Sequence, residues 1–410
     1  MKVGLEWAFS DAHLPTSQSS SQRQLSVSVS AQGEGAQAPL NLCFVLDRSG
    51  SMMGTPLKTV KEAAHRIIDR LTGRDRISII AFDHKAEVLV KNQFATDFEA
   101  IKRRIDGLRA GGGTCIDDGL KLGISELAKE KEDFVSQLLL LTDGENEHGD
   151  NARAMKLADV AIGYNLTVST LGFGDHWNQD VLEQIADAGG GSLNYIQHAE
   201  EAIATFGRLF TRIQSVGLTN AFLNIELADG TRLADLKPVA QVAPETIELT
   251  AVQEGNQAMI RIGDLMKDQP RVILLNLYIS QLAAGTATVG QLQVTYDDPA
   301  IGVTGQRSEI VPIEIAAMDD YVPKADAGVQ QNILALAKYR QTQIAEDKLK
   351  AGDRQGAVTM LQSAANTAIQ MGDTNAATVL QENATQLQAG KELSERDRKQ
   401  TRIVSKTRLQ

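Results

Sequence analysis

The chain has 410 residues, enough for roughly two to three domains. Its 41 basic and 52 acidic residues leave a formal charge of −11, which argues against a general nucleic-acid binder and against a protein held on anionic membranes. The opening Met1-Lys2-Val3-Gly4-Leu5-Glu6-Trp7 lacks the apolar core and cleavage site of a leader, and no run of about eighteen apolar residues occurs. The expectation is a cytoplasmic protein without membrane insertion, in which Cys43 and Cys115 stay reduced.

Residues 1–38 contain Gln24-Leu25-Ser26-Val27-Ser28-Val29-Ser30, whose strict apolar–polar alternation predicts a half-buried antiparallel strand. From 39 to 217 apolar strands alternate with amphipathic helices, the pattern of a mostly parallel sheet covered on both faces. Strands are predicted at 40–46, 76–82, 86–91, 136–142, 165–171 and 191–196. Helices are predicted at about 55–72, 97–108, 115–130, 151–163, 178–188 and 198–215.

Residues 218–322 return to alternation, with strands predicted at 221–227, 245–252, 257–262, 271–281, 289–296 and 308–316. Turn signals such as Asp229-Gly230 and Gly255-Asn256 separate them, and the reading is a β-sandwich. A lone N-terminal strand would leave unpaired edges, so residues 22–31 are expected to join that sandwich, with the α/β domain inserted between its strands. Residues 323–390 are rich in helix formers. Gly352-Asp353 and Gly372-Asp373 each pair a terminating glycine with a capping aspartate, which predicts three helices at about 326–351, 354–371 and 374–389. The bundle resembles tetratricopeptide-type hairpins only loosely. The last stretch, 391–410, holds seven basic and three acidic residues and reads as a disordered basic tail; Thr401, Ser405 and Thr407 within it are candidates for a phospho-dependent partner.

The chemistry concentrates at three strand ends of the α/β region. Asp47-Arg48-Ser49-Gly50-Ser51 follows the apolar run Leu42 to Leu46, Gly111-Gly112-Gly113 leads to the hydroxyl of Thr114, and Leu138 to Leu141 run into Thr142-Asp143-Gly144. A carboxylate and two hydroxyls at alternate positions of a turn suit a hard divalent cation that takes oxygen ligands. Together these stretches resemble the metal-ion-dependent adhesion site of von Willebrand factor A (VWA) domains. The resemblance implies a doubly wound, Rossmann-like sheet. It also implies that Asp47, Ser49, Ser51, Thr114 and Asp143 hold Mg²⁺ or Mn²⁺, with Ca²⁺ a further candidate, and that an acidic residue of a protein partner completes the shell.

No GxxxxGK[ST] loop is present, and the six histidines show no zinc spacing. His84, Glu145, His148, His176 and Trp177 sit in loops that should rise from the metal face, and they are the candidate partner contacts, with burial against the sixth helix an equal expectation for Trp177. The function expected is a non-enzymatic, metal-dependent adaptor or scaffold. Two alternatives are a metal-dependent hydrolase, which the neutral hydroxyl ligands disfavour because they supply no proton acceptor, and a VWA subunit of an AAA+ ATPase system.

Overall fold

The computed structural model describes residues 1–130, 133–174, 176–267 and 269–406. Three strands open the chain: β1 (Lys2–Phe9), β2 (His13–Pro15) and β3 (Ser20–Gln32). The α/β region follows with β4 (Leu40–Asp47), α1 (Thr55–Ile68), β5 (Arg76–Phe82), β6 (Ala86–Phe94), α2 (Phe98–Asp106), α3 (Ile116–Leu127), β7 (Val135–Thr142), α4 (Asn151–Gly163), β8 (Thr167–Phe173), α5 (Gln179–Ala188), β9 (Gly190–Ile196) and α6 (Ala199–Gln214). A second strand-rich stretch holds β10 (Val216–Leu227), β11 (Thr231–Leu233), β12 (Val239–Ala243), β13 (Ile247–Glu248), β14 (Ala251–Glu254), β15 (Gln257–Met266), β16 (Arg271–Ser280), β17 (Gly285–Asp298), β18 (Val303–Arg307) and β19 (Val311–Met318). Four helices close the described chain: α7 (Ala327–Lys350), α8 (Arg354–Gln370), α9 (Thr374–Gln388) and α10 (Glu395–Lys406).

The chain divides into two compact units. One comprises Met1, 33–221 and 296–306, and the other 2–32, 222–295 and 307–410. In the first, the sheet order is β6-β5-β4-β7-β8-β9. All its pairings are parallel except β5 with β6. Strands β4 and β7 are buried at every residue, which is why they read as continuous apolar runs rather than alternating ones. From β4 the chain winds outward to β5 and β6 on one side, then returns to β7 and winds to β8 and β9 on the other. The carboxyl ends of β4 and β7 therefore flank the switch point of strand order, where open α/β sheets place their sites. Asp97, Asp150 and Asn178 cap α2, α4 and α5 through their side chains, fixing where those helices begin.

In the second unit β1, β3, β16, β12 and β13 form one sheet, with β3 paired antiparallel to β16 from Arg271↔Val29 to Ser280↔Ser20. The N-terminal strands thus pair with strands found after the α/β region, which is an insertion. Helix α7 packs Val329, Leu336 and Tyr339 against Ala240, Val242, Val272 and Leu274 of that sheet. Helices α7, α8 and α9 begin at Asp326, Asp353 and Asp373, whose carboxylates accept from Val329 N, Gly356 N and Ala376 N at 2.9, 2.8 and 3.0 Å.

The basic tail expected at 391–410 is a helix over 395–406. Leu393 and Val404 join the apolar cluster of α8 and α9. Arg402 forks onto Glu346 of α7 through Nε and Nη2, at 2.8 and 2.6 Å. Its net positive charge concealed an amphipathic pattern with an acidic partner waiting on α7. Ser405 is fully buried and Thr401 accepts from Asn383 Nδ2 at 2.6 Å, so neither presents a free hydroxyl to a modifying enzyme; Thr407 lies outside the described residues.

Candidate metal centre

Asp47 is the last residue of β4 and is wholly buried. Its Oδ1 accepts from Ser49 N at 2.7 Å, which turns the chain sharply after the strand, and its Oδ2 accepts from Thr142 Oγ1 at 2.5 Å. The turn brings Ser49 Oγ to 3.0 Å from Ser51 Oγ, and Ser51 Oγ donates to Asp143 Oδ1 at 2.7 Å. Thr114 joins the same point: a Cβ at Gly144 would lie 3.2 Å from Thr114 Oγ1 and 3.7 Å from Ser51 Oγ. Glycine at 144 leaves that approach open. Asp47, Ser49, Ser51, Thr114 and Asp143 are thus brought together at the switch point.

The glycine loop is tied to the first turn by its backbone. Gly50 N donates to Gly112 O at 2.9 Å, and Gly111 N donates to Arg48 O at 2.8 Å. Gly112 takes φ +81°, a conformation that favours glycine. Arg48 reaches from the same turn to Asp83 at 3.0 Å and Glu87 at 2.5 Å, so its charge is spent on β5 and β6 and not on the centre.

Burial pushes the Asp47 carboxyl up to about 6, against the lowering effect of its bonds from Thr142 and Ser49, with Asp143 adding to the rise. Burial also pushes Asp143 up, and the Ser51 hydroxyl and nearby His176 hold it back. Among the described residues, no basic side chain is one of the groups acting on Asp47. Two desolvated carboxylates beside three hydroxyls form an all-oxygen donor set, and such a set fits a hard divalent cation. When bound, the ion would supply positive charge and Lewis acidity toward an anionic oxygen. Asp47, Ser49, Ser51, Thr114 and Asp143 are the residues that would hold it.

The rim carries His84, Glu145, His148 and His176, all exposed. His84 stands over Gly112 and bonds Asp83 through Nδ1 at 3.1 Å, while the His148 ring lies against Gly113 and its backbone N donates to Thr114 O at 2.9 Å. Trp177 does not belong to this group. It is 3% exposed, its Nε1 donates to Gly174 O at 2.6 Å, and its ring packs against Tyr195 with centroids 5.6 Å apart. The ring lies over Gly172 of β8, where the missing side chain leaves room for it. Core packing, not partner contact, explains this tryptophan.

Three supporting residues were not singled out in the sequence. Thr142, in the quoted strand end, orients Asp47. Asn146 Oδ1 accepts from Ile116 N at 2.7 Å, binding the start of α3 to the loop after β7. Asp117, 2% exposed, accepts from Arg153 Nη1 at 2.7 Å and Asp150 N at 3.2 Å, locking α3 to α4. Cys115, Asp117 and Asp118 cluster closely enough to suggest a second metal, but Arg153 already bonds both carboxylates, at 2.7 and 3.0 Å. Both cysteines are free thiols, and burial pushes Cys43 up to about 12 and Cys115 up to about 11.

Compared with known proteins, the chain is 58% identical over 412 residues to sll0103 of Synechocystis sp. (strain ATCC 27184 / PCC 6803 / Kazusa), covering 100% of this chain and 98% of that protein. The chain belongs to the sll0103 family. Residues 41–208 match the von Willebrand factor type A domain, and residues 327–410 match the Sll0103-like, C-terminal alpha-helical domain. The VWA region is also similar to inter-alpha-trypsin inhibitor heavy chain H4 of Bos taurus, 30% identical over 164 residues, which is 37% of this chain and 18% of that protein. Among solved structures, the von Willebrand factor type A protein of Catenulispora acidiphila superimposes with a TM-score of 0.83 at 19% identity, covering 99% of this chain and 97% of that one. The ArnB paralog VWA2 of Sulfolobus acidocaldarius gives a TM-score of 0.60 at 15% identity, covering 99% and 98%. At those identities the likeness is one of fold. The sll0103 family member described here therefore has a VWA-type α/β fold and a C-terminal helical domain. Among its described residues, no helix is long and apolar enough to cross a membrane.

Proposed function

We propose that this chain is a divalent-metal-dependent protein-binding module, a cytoplasmic scaffold or regulatory adaptor. It captures a carboxylate of a protein partner through Mg²⁺, or through Mn²⁺ or Ca²⁺, held by Asp47, Ser49, Ser51, Thr114 and Asp143. The observation that carries this reading is the pair of buried carboxylates, Asp47 and Asp143, joined through the Ser49 and Ser51 hydroxyls with, among the described residues, no basic side chain acting on Asp47. Such a pair is costly to ionise without a cation, and three of the five ligands are neutral, which leaves the ion its attraction for a further anion.

Binding is favoured over hydrolysis by the carboxylates' own partners. Both oxygens of Asp47 and one of Asp143 already accept hydrogen bonds from the protein, so their lone pairs are committed to the turn geometry rather than aimed outward as a general base. Isothermal titration of the full chain with Mg²⁺ and Mn²⁺ tests the centre. Capture from lysate with Mg²⁺ against chelator then tests the partner. Absence of divalent binding to the wild type overturns the reading, and metal-stimulated turnover of phosphatase or esterase substrates replaces it with the hydrolase.

A further inference from the structure

The second unit carries a groove that the metal centre does not use. It has a volume of about 430 Å³ and lies on the sheet that contains β14, β15, β10 and β17. Three large apolar side chains in its lining are exposed: Val252 of β14, Met259 of β15 and Ile310, between β18 and β19. Val252 and Met259 stand directly opposite each other in the ladder, so they form one apolar pair. A single exposed apolar residue is ordinary, but three lining one groove mark a contact surface. The polar lining is short of donors. Asn224 and Glu226 alternate with buried residues along β10, as Gln291 and Gln293 do along β17, which turns all four outward. Asn224 Nδ2 donates to Thr295 Oγ1 at 2.6 Å and to Phe222 O at 3.4 Å, Gln291 Nε2 to Glu226 Oε2 at 2.9 Å, and Gln293 Nε2 to Ser308 O at 3.0 Å. A carbonyl or a carboxylate can only accept, so the orientation of each amide is fixed. What stays open is oxygen: among the described residues, no donor reaches Asn224 Oδ1, Glu226 Oε1, Gln291 Oε1 or Gln293 Oε1. Exposed Glu254 adds a second carboxylate, against one cation in the described lining, exposed Arg307.

An acceptor-rich hollow with apolar walls fits a cation carried on an apolar stem. The open oxygens outnumber the three donors of an ammonium, whereas a guanidinium offers five in one plane and is weakly hydrated. Its methylenes can lie along Val252, Met259 and Ile310, as long charged side chains do on apolar surface. The groove is also larger than one side chain needs, which leaves room for apolar neighbours on either side of the cation. We infer that it docks a segment of a protein partner in which an arginine stands among apolar residues, the guanidinium on Glu226 and Gln291 and the neighbours on Val252 and Met259. The metal centre takes no part in this contact.

The test uses the full chain with chelator present, at physiological salt, and a fluorescent peptide of one arginine flanked by leucines. A second peptide has citrulline for arginine, which keeps the shape and removes the charge. Anisotropy should show saturable binding of the arginine peptide, about tenfold or more tighter than the citrulline one. Glu226→Gln combined with Glu254→Gln should weaken the arginine peptide by about tenfold or more. Glu62→Gln combined with Glu99→Gln removes the same charge from exposed positions outside the groove and should change binding by about twofold at most. Met259→Ser should weaken both peptides while keeping their ranking. Should the Glu226 variant fail to fold, Glu254→Lys, at an exposed position, is read the same way. Equal binding of the citrulline peptide, an equal loss in the Glu62 and Glu99 variant, or equal competition by spermidine, a polyamine with no peptide, overturns the inference. So does a concentration-dependent dimer that Glu254→Lys dissociates, since a second copy would then be the occupant.

Discussion

Ser51 Oγ donates to Asp143 Oδ1 at 2.7 Å, joining two residues 92 positions apart across the carboxyl ends of β4 and β7. The contact follows from topology. β4 and β7 are neighbours paired in parallel from Leu40↔Val135 to Leu46↔Leu141, so the turn after one necessarily meets the turn after the other. The same register sets Asp47 beside Thr142. A site assembled this way depends on the sheet and not on loop flexibility.

The first prediction concerns pH and metal. The folded-state pKa of Asp47 is raised, so its contribution to stability is fully present below about 4 and is lost as pH rises through about 6. At neutral pH, ionised Asp47 costs the metal-free fold roughly 3 kcal/mol. Metal-free protein should therefore lose stability between about pH 4 and pH 7 from this group, and Asp47→Asn should flatten that slope while abolishing any divalent response. Millimolar Mg²⁺ should raise the Tm at neutral pH and have little effect below about pH 5, where protons hold the site. Identical unfolding curves with and without Mg²⁺ at neutral pH would count against the centre.

Thr142 offers a sharper test of geometry. Its hydroxyl bonds Asp47 Oδ2 inside the protein, so Thr142→Val removes a donor and leaves a buried carboxylate oxygen short of a partner, at a cost of about 1–3 kcal/mol. Because the lost bond favoured the ionised form, the Asp47 pKa should rise further and the pH at which metal begins to bind should move up with it. Urea unfolding and metal titration across pH measure the two effects. A variant whose metal binding keeps the wild-type pH profile would show that Thr142 does not orient Asp47.

How far the sequence could be read depends on how local each signal was. The buried strands β4 and β7 announced themselves through the apolar runs Leu42 to Leu46 and Leu138 to Leu141, and the helix starts at Asp353 and Asp373 by a capping aspartate after a glycine. The metal-centre residues were legible because each lies at a strand end that the doubly wound pattern places on one edge. What stayed hidden was non-local. Strands β1 and β12 lack clean alternation and exist because β3 and β16 offer them ladders. Helix α10 was masked by its charge, and its order comes from Glu346, some fifty residues upstream. Trp177 looked like a recognition residue only because the empty place above Gly172 cannot be seen in one dimension.

That place supports a packing prediction. A Cβ at Gly172 would fall 2.2 Å from Trp177 Cε2, so Gly172→Ala must displace the ring from a core that includes Val181, Leu182 and Ile185. Trp177→Ala should cost about 3–5 kcal/mol and Gly172→Ala about 1–3 kcal/mol by overpacking. If Trp177 were a partner contact instead, its removal would weaken capture while leaving the denaturation midpoint unchanged. Guanidinium unfolding with tryptophan fluorescence separates these outcomes, Trp7 serving as the remaining reporter in the alanine variant.

The helical domain holds a buried ion pair whose two halves should respond unequally. Lys338 Nζ lies 2.8 Å from Asp373 Oδ2, with side chains 1% and 7% exposed. Asp373 has a second duty, since its Oδ1 caps α9 through Ala376 N. Asp373→Ala therefore removes the carboxylate bonded to a buried ammonium and uncaps a helix, and should cost about 3 kcal/mol for the pair plus about 1 kcal/mol for the cap. Lys338→Met removes the other charge, but the remaining carboxylate keeps its capping bond and the thioether chain fills the space the lysine stem occupied. It should cost less. The double variant should be less damaged than the sum of the singles, because the two side chains are in direct contact and each single change breaks the same ion pair. A thermodynamic cycle over the four proteins by urea unfolding measures the coupling. Additive effects, or a Lys338→Met cost equal to that of Asp373→Ala, would show that the pair contributes packing alone and that the asymmetry between cap and counter-ion is not what stabilises the start of α9.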